Sequence, residues 1–311
     1  MRFSVIIPVY NKANTVRAAV ESVLAQTFHD FEIVVVDDGS IDEPEKELAN
    51  LMGNQLKLIR QENGGVSVAR NTGIACSHGE YVCFLDGDDL WKPHHLETMN
   101  KMITKYPCSS AFITSHESIE PNGAVIHSSK FLQNYNSDFE TEDFLGLLNR
   151  TSYEVVNTNS ICIKRTVFDE DDIYFVPGVL IGEDTDVWYR VGLLHKVAIS
   201  KKETTMYRRE YSTATKKNSH IQKWVFSLRE KEIILNERIT QQKKDSFIHL
   251  IDRYKMTCCR EYMIAENKTE AKRILSEVKN KKNVRYVMTF IFTFLPYCIC
   301  RWVLRRSREC Q

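Results

Sequence analysis

The sequence predicts an α/β fold, a mostly parallel sheet with helices on both faces, followed by a helical C-terminal extension. Three observations carry this. Short β-branched runs alternate with amphipathic stretches through the first third of the chain. The apolar runs end in turn residues and acids. After about Thr215 the texture becomes lysine- and glutamate-rich with helical periodicity, as in WVFSLREKEIILNERI, and almost lacks turn residues.

Ser4 to Ile7 and Glu32 to Val36 are near-continuous apolar runs, the pattern of strands covered on both faces. Between them Val16, Ala19, Val20 and Val23 recur at helical spacing over Thr15 to Leu24, with Asn14 or Thr15 available as N-cap. A strand at Leu56 to Ile59, a Gly-Gly loop, a helix around Val66 to Ala75 and a strand at Tyr81 to Leu85 repeat the βα alternation. Such sheets bind ligands beyond the carboxyl ends of their strands. From Ser110 to about Arg209 short strands near Ala111 to Thr114, Ile161 to Ile163 and Val197 to Ile199 suggest an antiparallel extension. The domains expected are 1–215 and a helical region 216–311.

With 42 basic and 41 acidic residues in 311, the chain has no general field for nucleic acid. Its nine cysteines show no paired zinc-finger spacing and read as free thiols of a reducing, cytoplasmic compartment. The opening MRFSVIIPVYN lacks the core and cleavage pattern of a signal peptide. The stretch 284–308 is apolar, interrupted by Pro296, and ends in Arg301, Arg305, Arg306 and Arg308. It is short for a spanning helix, which needs about 20 apolar residues. Two readings stand: a peripheral anchor at the inner face of the cytoplasmic membrane, or a buried helix with a solvated basic end.

The chemistry-bearing motifs lie on the expected strand ends. Pro8 is placed to end the first strand, leaving Val9, Tyr10 and Asn11 as a ligand-facing loop or an ordinary strand-to-helix turn. Asp37 and Asp38 follow the second strand and call for a base or ribose donor, an arginine or a metal, unless they form a solvated Asp-Gly turn. NGGVSVARNTG sets Arg70 inside a helix after paired glycines, where it meets a nucleotide or pairs with Asp37 or Asp38. FLDGDD ends a strand in Asp86, Gly87, Asp88 and Asp89. Acids so clustered, without nearby lysine partners to neutralise them, fit a hard divalent cation, Mg²⁺ or Mn²⁺, better than an acidic turn. GEDTDVWYR offers Glu183 and Asp184 as general bases, or an acidic helix start with Asp186 and Arg190 paired. Arg208 and Arg209, with Lys216 and Lys217, form a basic stretch that can close over a diphosphate or remain solvated.

Together SVIIPVYN, VDDGS, GGVSVARNTG, FLDGDD and GEDTD resemble the GT-A fold of family 2 glycosyltransferases over roughly residues 1 to 215. The resemblance implies an inverting transfer of a sugar from a nucleotide diphosphate, most commonly uridine, to an acceptor hydroxyl in cell-surface polysaccharide or glycolipid synthesis. It implies that Pro8 to Asn11 and Asp38 receive the base and that Arg70 lies near the nucleotide. Asp88 is the implied metal ligand, Asp86 the ribose or second metal contact, and Asp184 the catalytic base. The family's frequent late histidine is absent from Arg208, Arg209, Glu210 and Tyr211. A nucleotidyltransferase would show a glycine- and lysine-rich loop after the first strand, and a nicotinamide dehydrogenase would show glycines in the first βα turn. A non-catalytic sugar-nucleotide-binding module would need Asp38 and Asp88 but not Asp184.

Overall fold

The structure is a computed structural model that describes residues 1–151, 155–179, 181–209 and 225–300. Two compact units divide them, one of residues 1–209 with 225–226 and one of the residues from 227 onward.

In the first unit β1 (Phe3–Val9), β2 (Phe31–Asp37), β3 (Leu56–Arg60) and β4 (Tyr81–Phe84) lie parallel in the order β3-β2-β1-β4. Helices α1 (Ala13–Leu24), α2 (Pro44–Leu48) and α3 (Val66–Ala75) connect them. Next come β5 (Leu90–Trp91), α4 (His95–Lys105), β6 (Ser109–Ile119), β7 (Val125–His127), β8 (Phe139–Thr141) and α5 (Phe144–Arg150). The unit continues through β9 (Ile161–Lys164), α6 (Thr166–Asp171), α7 (Glu183–Leu194) and β10 (Lys196–Arg208). These strands extend the sheet to β4-β9-β6-β10-β5, with β7 on β6 and β8 on β10. β9 runs antiparallel to both β4 and β6, and β6 and β10 are parallel to each other.

Every residue of β1 is buried, as the unbroken apolar run requires. On one face Val5, Ile7, Ile33 and Val35 pack with Val16, Ala19, Val20 and Val23 of α1. On the other, Val34 and Val36 meet Ala69 of α3. Gly73 lets α3 lie against β1, because a Cβ there would stand 2.4 Å from Cγ2 of Ile6. Each fully buried Val or Ile side chain contributes about 1.5–3 kcal/mol, so this layer fixes the strand ends that carry the acids.

Two local expectations are corrected. Pro8 does not end β1, which continues to Val9. The Ile6 carbonyl accepts from Leu85 on the β4 side and the Val9 carbonyl from Asp38 on the β2 side, so Pro8 faces β4. The β4 ladder ends opposite Ile6, and no bond is lost where proline lacks its N–H. Nor do Asn14 and Thr15 cap α1; Lys12 is the N-cap, and its side chain makes no capping bond.

In the second unit the helices Gln241–Ile264, Lys268–Ser276 and Val284–Phe292 enclose Met256, Cys259, Met263, Ala271, Leu275 and Phe292. Thr289 and Phe292 are buried, while Val284, Met288 and Ile291 are exposed. The terminal arginines of the sequence lie outside the described residues. Among the described residues no helix is long and apolar enough to cross a membrane, and the eight cysteines are unbridged.

Candidate active site

The loops after β1, β2 and β3 are tied together by their own polar groups. Asn11 takes a positive φ of 52°, which asparagine tolerates, and its N–H donates to Ser40 Oγ at 3.0 Å. Its Oδ1 accepts from the Ile41 N–H at 3.0 Å. Gly39, at φ 77°, lets the β2 loop approach the β3 loop, since a Cβ would meet the Asn63 nitrogen at 3.0 Å. Asp38 is buried and accepts from Gln61 Nε2 (2.7 Å), Gly64 N (2.9 Å) and Gly65 N (2.8 Å). Asp37 accepts from Ser40 N at 2.9 Å and lies 3.4 Å from Arg60 Nη1. Tyr10 is half exposed beside them.

At the end of β4 the residues of the acidic turn have distinct environments. Asp86 donates its N–H to Asn159 Oδ1 at 2.8 Å and accepts from Arg70 Nη2 on its Oδ1 at 3.0 Å. Asp88 is buried, and its Oδ2 lies 2.5 Å from Lys12 Nζ. Burial pushes its carboxyl above the ordinary value, against the pull of the Lys12 ammonium. Asp89 is fully enclosed and accepts from Asn159 Nδ2 (2.6 Å) and the Arg208 N–H (2.7 Å). Burial, then repulsion from Asp86 and Asp88, pushes it up to about 8. The Asn159 carbonyl also accepts from Trp91 Nε1 at 2.8 Å, so one side chain and its backbone hold the turn from three directions.

Arg70 joins this turn to α7. Its Nη1 donates to Glu183 Oε1 at 2.9 Å while Nη2 holds Asp86, and its guanidinium carbon stands 5.2 Å from the Phe175 ring centre. Phe175 is pinned to α3 by paired bonds with the Asn71 amide, 2.8 and 3.0 Å. Burial opposes the charge of Arg70, but Asp86, Glu183 and Asp184 outweigh it and hold the proton more firmly. Burial and then Asp184 push Glu183 up, and Arg70 counters them. Asp184 accepts from Thr158 Oγ1 at 2.8 Å and from Thr185 N at 2.6 Å. Gly182, at φ 78°, supplies the left-handed turn that starts α7, where three acids meet the positive end of the helix.

Asp86, Glu183 and Arg70 are therefore in direct contact, with Asp184 one residue from Glu183 on the same helix start. Arg70 pairs with neither Asp37 nor Asp38; the cation beside Asp37 is Arg60. The absence of a lysine partner for the acidic turn is corrected too, because Lys12 comes from the neighbouring strand end. Arg208 closes β10 instead of belonging to a loop, and its Nε donates to the Asp88 carbonyl at 2.6 Å. Arg209 forms an ion pair with Glu120 at 2.8 Å, and Lys216 and Lys217 lie outside the described residues. Asp186 and Arg190 make the i, i+4 pair, 2.9 Å.

Lys12, Thr158 and Asn159 carry no sequence signature of their role. The polar run NTNS ahead of the strand ICI is the available signal for the last two. A separate group, Glu117, His127 and Glu203 on β6, β7 and β10, brings one ligand atom of each within 4.8 Å. Lys92 lies 2.7 Å from Glu117, and His127 Nδ1 lies 2.8 Å from Glu203.

An α/β sheet with an acidic turn after β4, joined through Arg70 to a second acidic helix start, has the GT-A architecture of a class of glycosyltransferase folds. The family model described as glycosyl transferase family 2 matches residues 4–170, more than half of the chain, and the chain belongs to that family. It is 31% identical over 247 residues to glycosyltransferase GlyA of Streptococcus pneumoniae, covering 77% of this chain and 34% of that protein. It is 32% identical over 195 residues to an uncharacterized glycosyltransferase of Rickettsia bellii, covering 60% of this chain and 27% of that one. The chain thus spans about a third of the length of these curated relatives. Among solved structures it is similar in fold to residues 1–349 of S. aureus TarS in complex with UDP-GlcNAc, with a TM-score of 0.64 at 20% identity, covering 93% of this chain and 79% of that one. The complex of the same TarS fragment with UDP gives a TM-score of 0.67 at 19% identity, covering 99% and 92%.

Proposed function

We propose that this chain transfers a glycosyl group from a nucleoside diphosphate donor, a UDP-sugar, onto an acceptor hydroxyl with inversion, and that a divalent cation assists. The observation that carries this reading is the Arg70 bridge, which draws the acidic turn after β4 and the start of α7 into one contact. Family membership and the UDP and UDP-GlcNAc complexes of the TarS fold relatives support it.

In this reading the loops of Asn11 and Asp38 receive the base, and Asp86 the ribose. Asp184, held by Thr158 and Thr185, takes the proton of the acceptor hydroxyl as it attacks the anomeric carbon from the face opposite the diphosphate. Glu183 is committed to Arg70 and orients the helix start. Asp88, with Asp86 as second contact, would hold Mg²⁺ or Mn²⁺. The donor set fits: both are hard carboxylates, and nothing among the described residues donates to Asp86 Oδ2. When bound, the cation supplies charge for the departing diphosphate. A buried unpartnered donor, Arg70 Nε, also suits an anionic ligand. Donor hydrolysis across a panel of nucleotide sugars, with Mn²⁺ or with chelator, tests the donor and the metal together. Asp184→Asn should lower transfer by at least about 10²-fold while UDP binding persists; full transfer in that variant removes Asp184 as the base.

The helix Val284–Phe292 supports peripheral contact with an anionic membrane. Val284, Val287, Met288, Phe290 and Ile291 are exposed on it, and Lys281, Lys282 and Arg285 flank its start. Met288→Glu with Ile291→Glu should abolish co-sedimentation with phosphatidylglycerol vesicles, and equal sedimentation of the variant would rule the contact out.

A further inference from the structure

Lys12 stands where two demands meet. Its backbone starts α1, with the N–H groups of Thr15 and Val16 both donating to its carbonyl at 3.0 Å. Its side chain runs over Gly87, where a Cβ would lie 3.7 Å from Lys12 Cδ, and ends 2.5 Å from Asp88 Oδ2. The Asp88 side chain is only 8% exposed, whereas that of Lys12 is 29% exposed. Arg208, the other cation at this turn, donates from Nε to the Asp88 backbone carbonyl. Among the described residues the ammonium of Lys12 is therefore the ion pair that compensates the Asp88 carboxylate.

A buried carboxylate without a counter-charge is costly, so the ligand-free chain needs this contact. A lysine meets the need differently from an arginine. It brings a point charge on a flexible stem, with one short bond and no fixed fork. Its partly exposed position leaves it room to leave, and the carboxylate it holds is the one proposed above as the metal ligand.

We propose that Lys12 is a resident counter-ion that a divalent cation displaces from Asp88, and that the released ammonium then serves the diphosphate of the donor. The inference rests on the reading of Asp88 as a metal ligand. Metal affinity without nucleotide is accordingly held down by competition, and nucleotide and metal bind with mutual help, because the diphosphate gives the displaced ammonium a new partner.

The test is Mn²⁺ binding to the full chain, measured by the electron paramagnetic resonance of free Mn²⁺ at pH 7.5 without nucleotide, for wild type, Lys12→Met, Lys12→Arg and Asp88→Asn. Losing one charged hydrogen bond that must be broken corresponds to about a tenfold tighter Kd in Lys12→Met. Lys12→Arg should bind no more tightly than wild type, and Asp88→Asn should not bind. UDP should then lower the Mn²⁺ Kd of wild type by a larger factor than that of Lys12→Met. Equal or weaker Mn²⁺ binding in Lys12→Met, with Asp88→Asn silent, overturns the competition alone. No Mn²⁺ binding in either protein overturns it together with the metal-ligand reading.

Discussion

Arg70 and Glu183, 113 residues apart in sequence, are joined by a 2.9 Å bond in which both side chains are largely withdrawn from solvent. The pair links α3 to α7, and the second arm of the same guanidinium reaches Asp86. Breaking a buried pair from one side leaves a charge without compensation, which costs about 3–5 kcal/mol. Arg70→Met should therefore lower the urea unfolding free energy by about that amount, discounted for the partial exposure of Asp86. Adding Glu183→Gln should restore part of the loss. Strict additivity of the two changes would show that the bridge does not couple the elements.

Asn159 offers a second lever on the acidic turn. Replacing it with alanine removes the acceptor of the Asp86 N–H and a donor to buried Asp89. An unsatisfied buried group costs about 1–3 kcal/mol, so Asn159→Ala should reduce stability by about 2 kcal/mol or more. An unchanged denaturation midpoint would mean that the turn is held elsewhere.

Asp89 gives the pH dependence a definite sign. Its folded-state value of about 8 exceeds the ordinary carboxylate value, so between them the folded chain keeps a proton that the unfolded chain releases. The contribution of Asp89 to stability therefore declines as pH rises from about 4 toward 8. In Asp89→Asn this decline is absent. The Tm of the variant minus that of wild type should become more positive between about pH 5 and pH 8. Glu183, raised in the same direction, acts in both proteins and cancels in the difference. A difference that is flat or falls with pH would contradict the buried, protonated state of Asp89.

Gly73 tests the packing beneath the site. Alanine there would set its Cβ 2.4 Å from Ile6 Cγ2, far inside contact distance. Overpacking of this kind costs about 1–3 kcal/mol, even though alanine is the better helix former. Gly73→Ala combined with Ile6→Ala, which removes the Cγ2 that would be met, should lose less stability than the two single changes summed, as read from thermal melts, and a stabilised single variant would show that α3 can move away freely.

The first half of the sheet was legible because parallel strands covered on both faces announce themselves as unbroken apolar runs, and β1, β2 and β4 each do. Beyond Thr114 and Ile199 the sequences SHES and KKETTMYR are largely polar, so β6 and β10 run longer than their apolar cores foretold. β7 and β8, three residues each, are too short to carry a pattern. At the site the acids could be read and their partners could not. Lys12 meets Asp88 only because β1 and β4 are neighbours, and Asn159 meets Asp89 across 70 residues. Local spacing contains neither relationship; both follow from strand order.

That strand order also constrains the birth of the protein. β4 is complete at Phe84, but the strand that covers its outer edge begins at Ile161. At translation rates of about 5–20 residues per second, the edge of Tyr81–Phe84 stays open on the ribosome for about 4–15 seconds. During that interval an apolar strand flanked by Leu85 lacks its outer partner, and the charges of Asp86, Asp88 and Asp89 just beyond it oppose pairing with other chains.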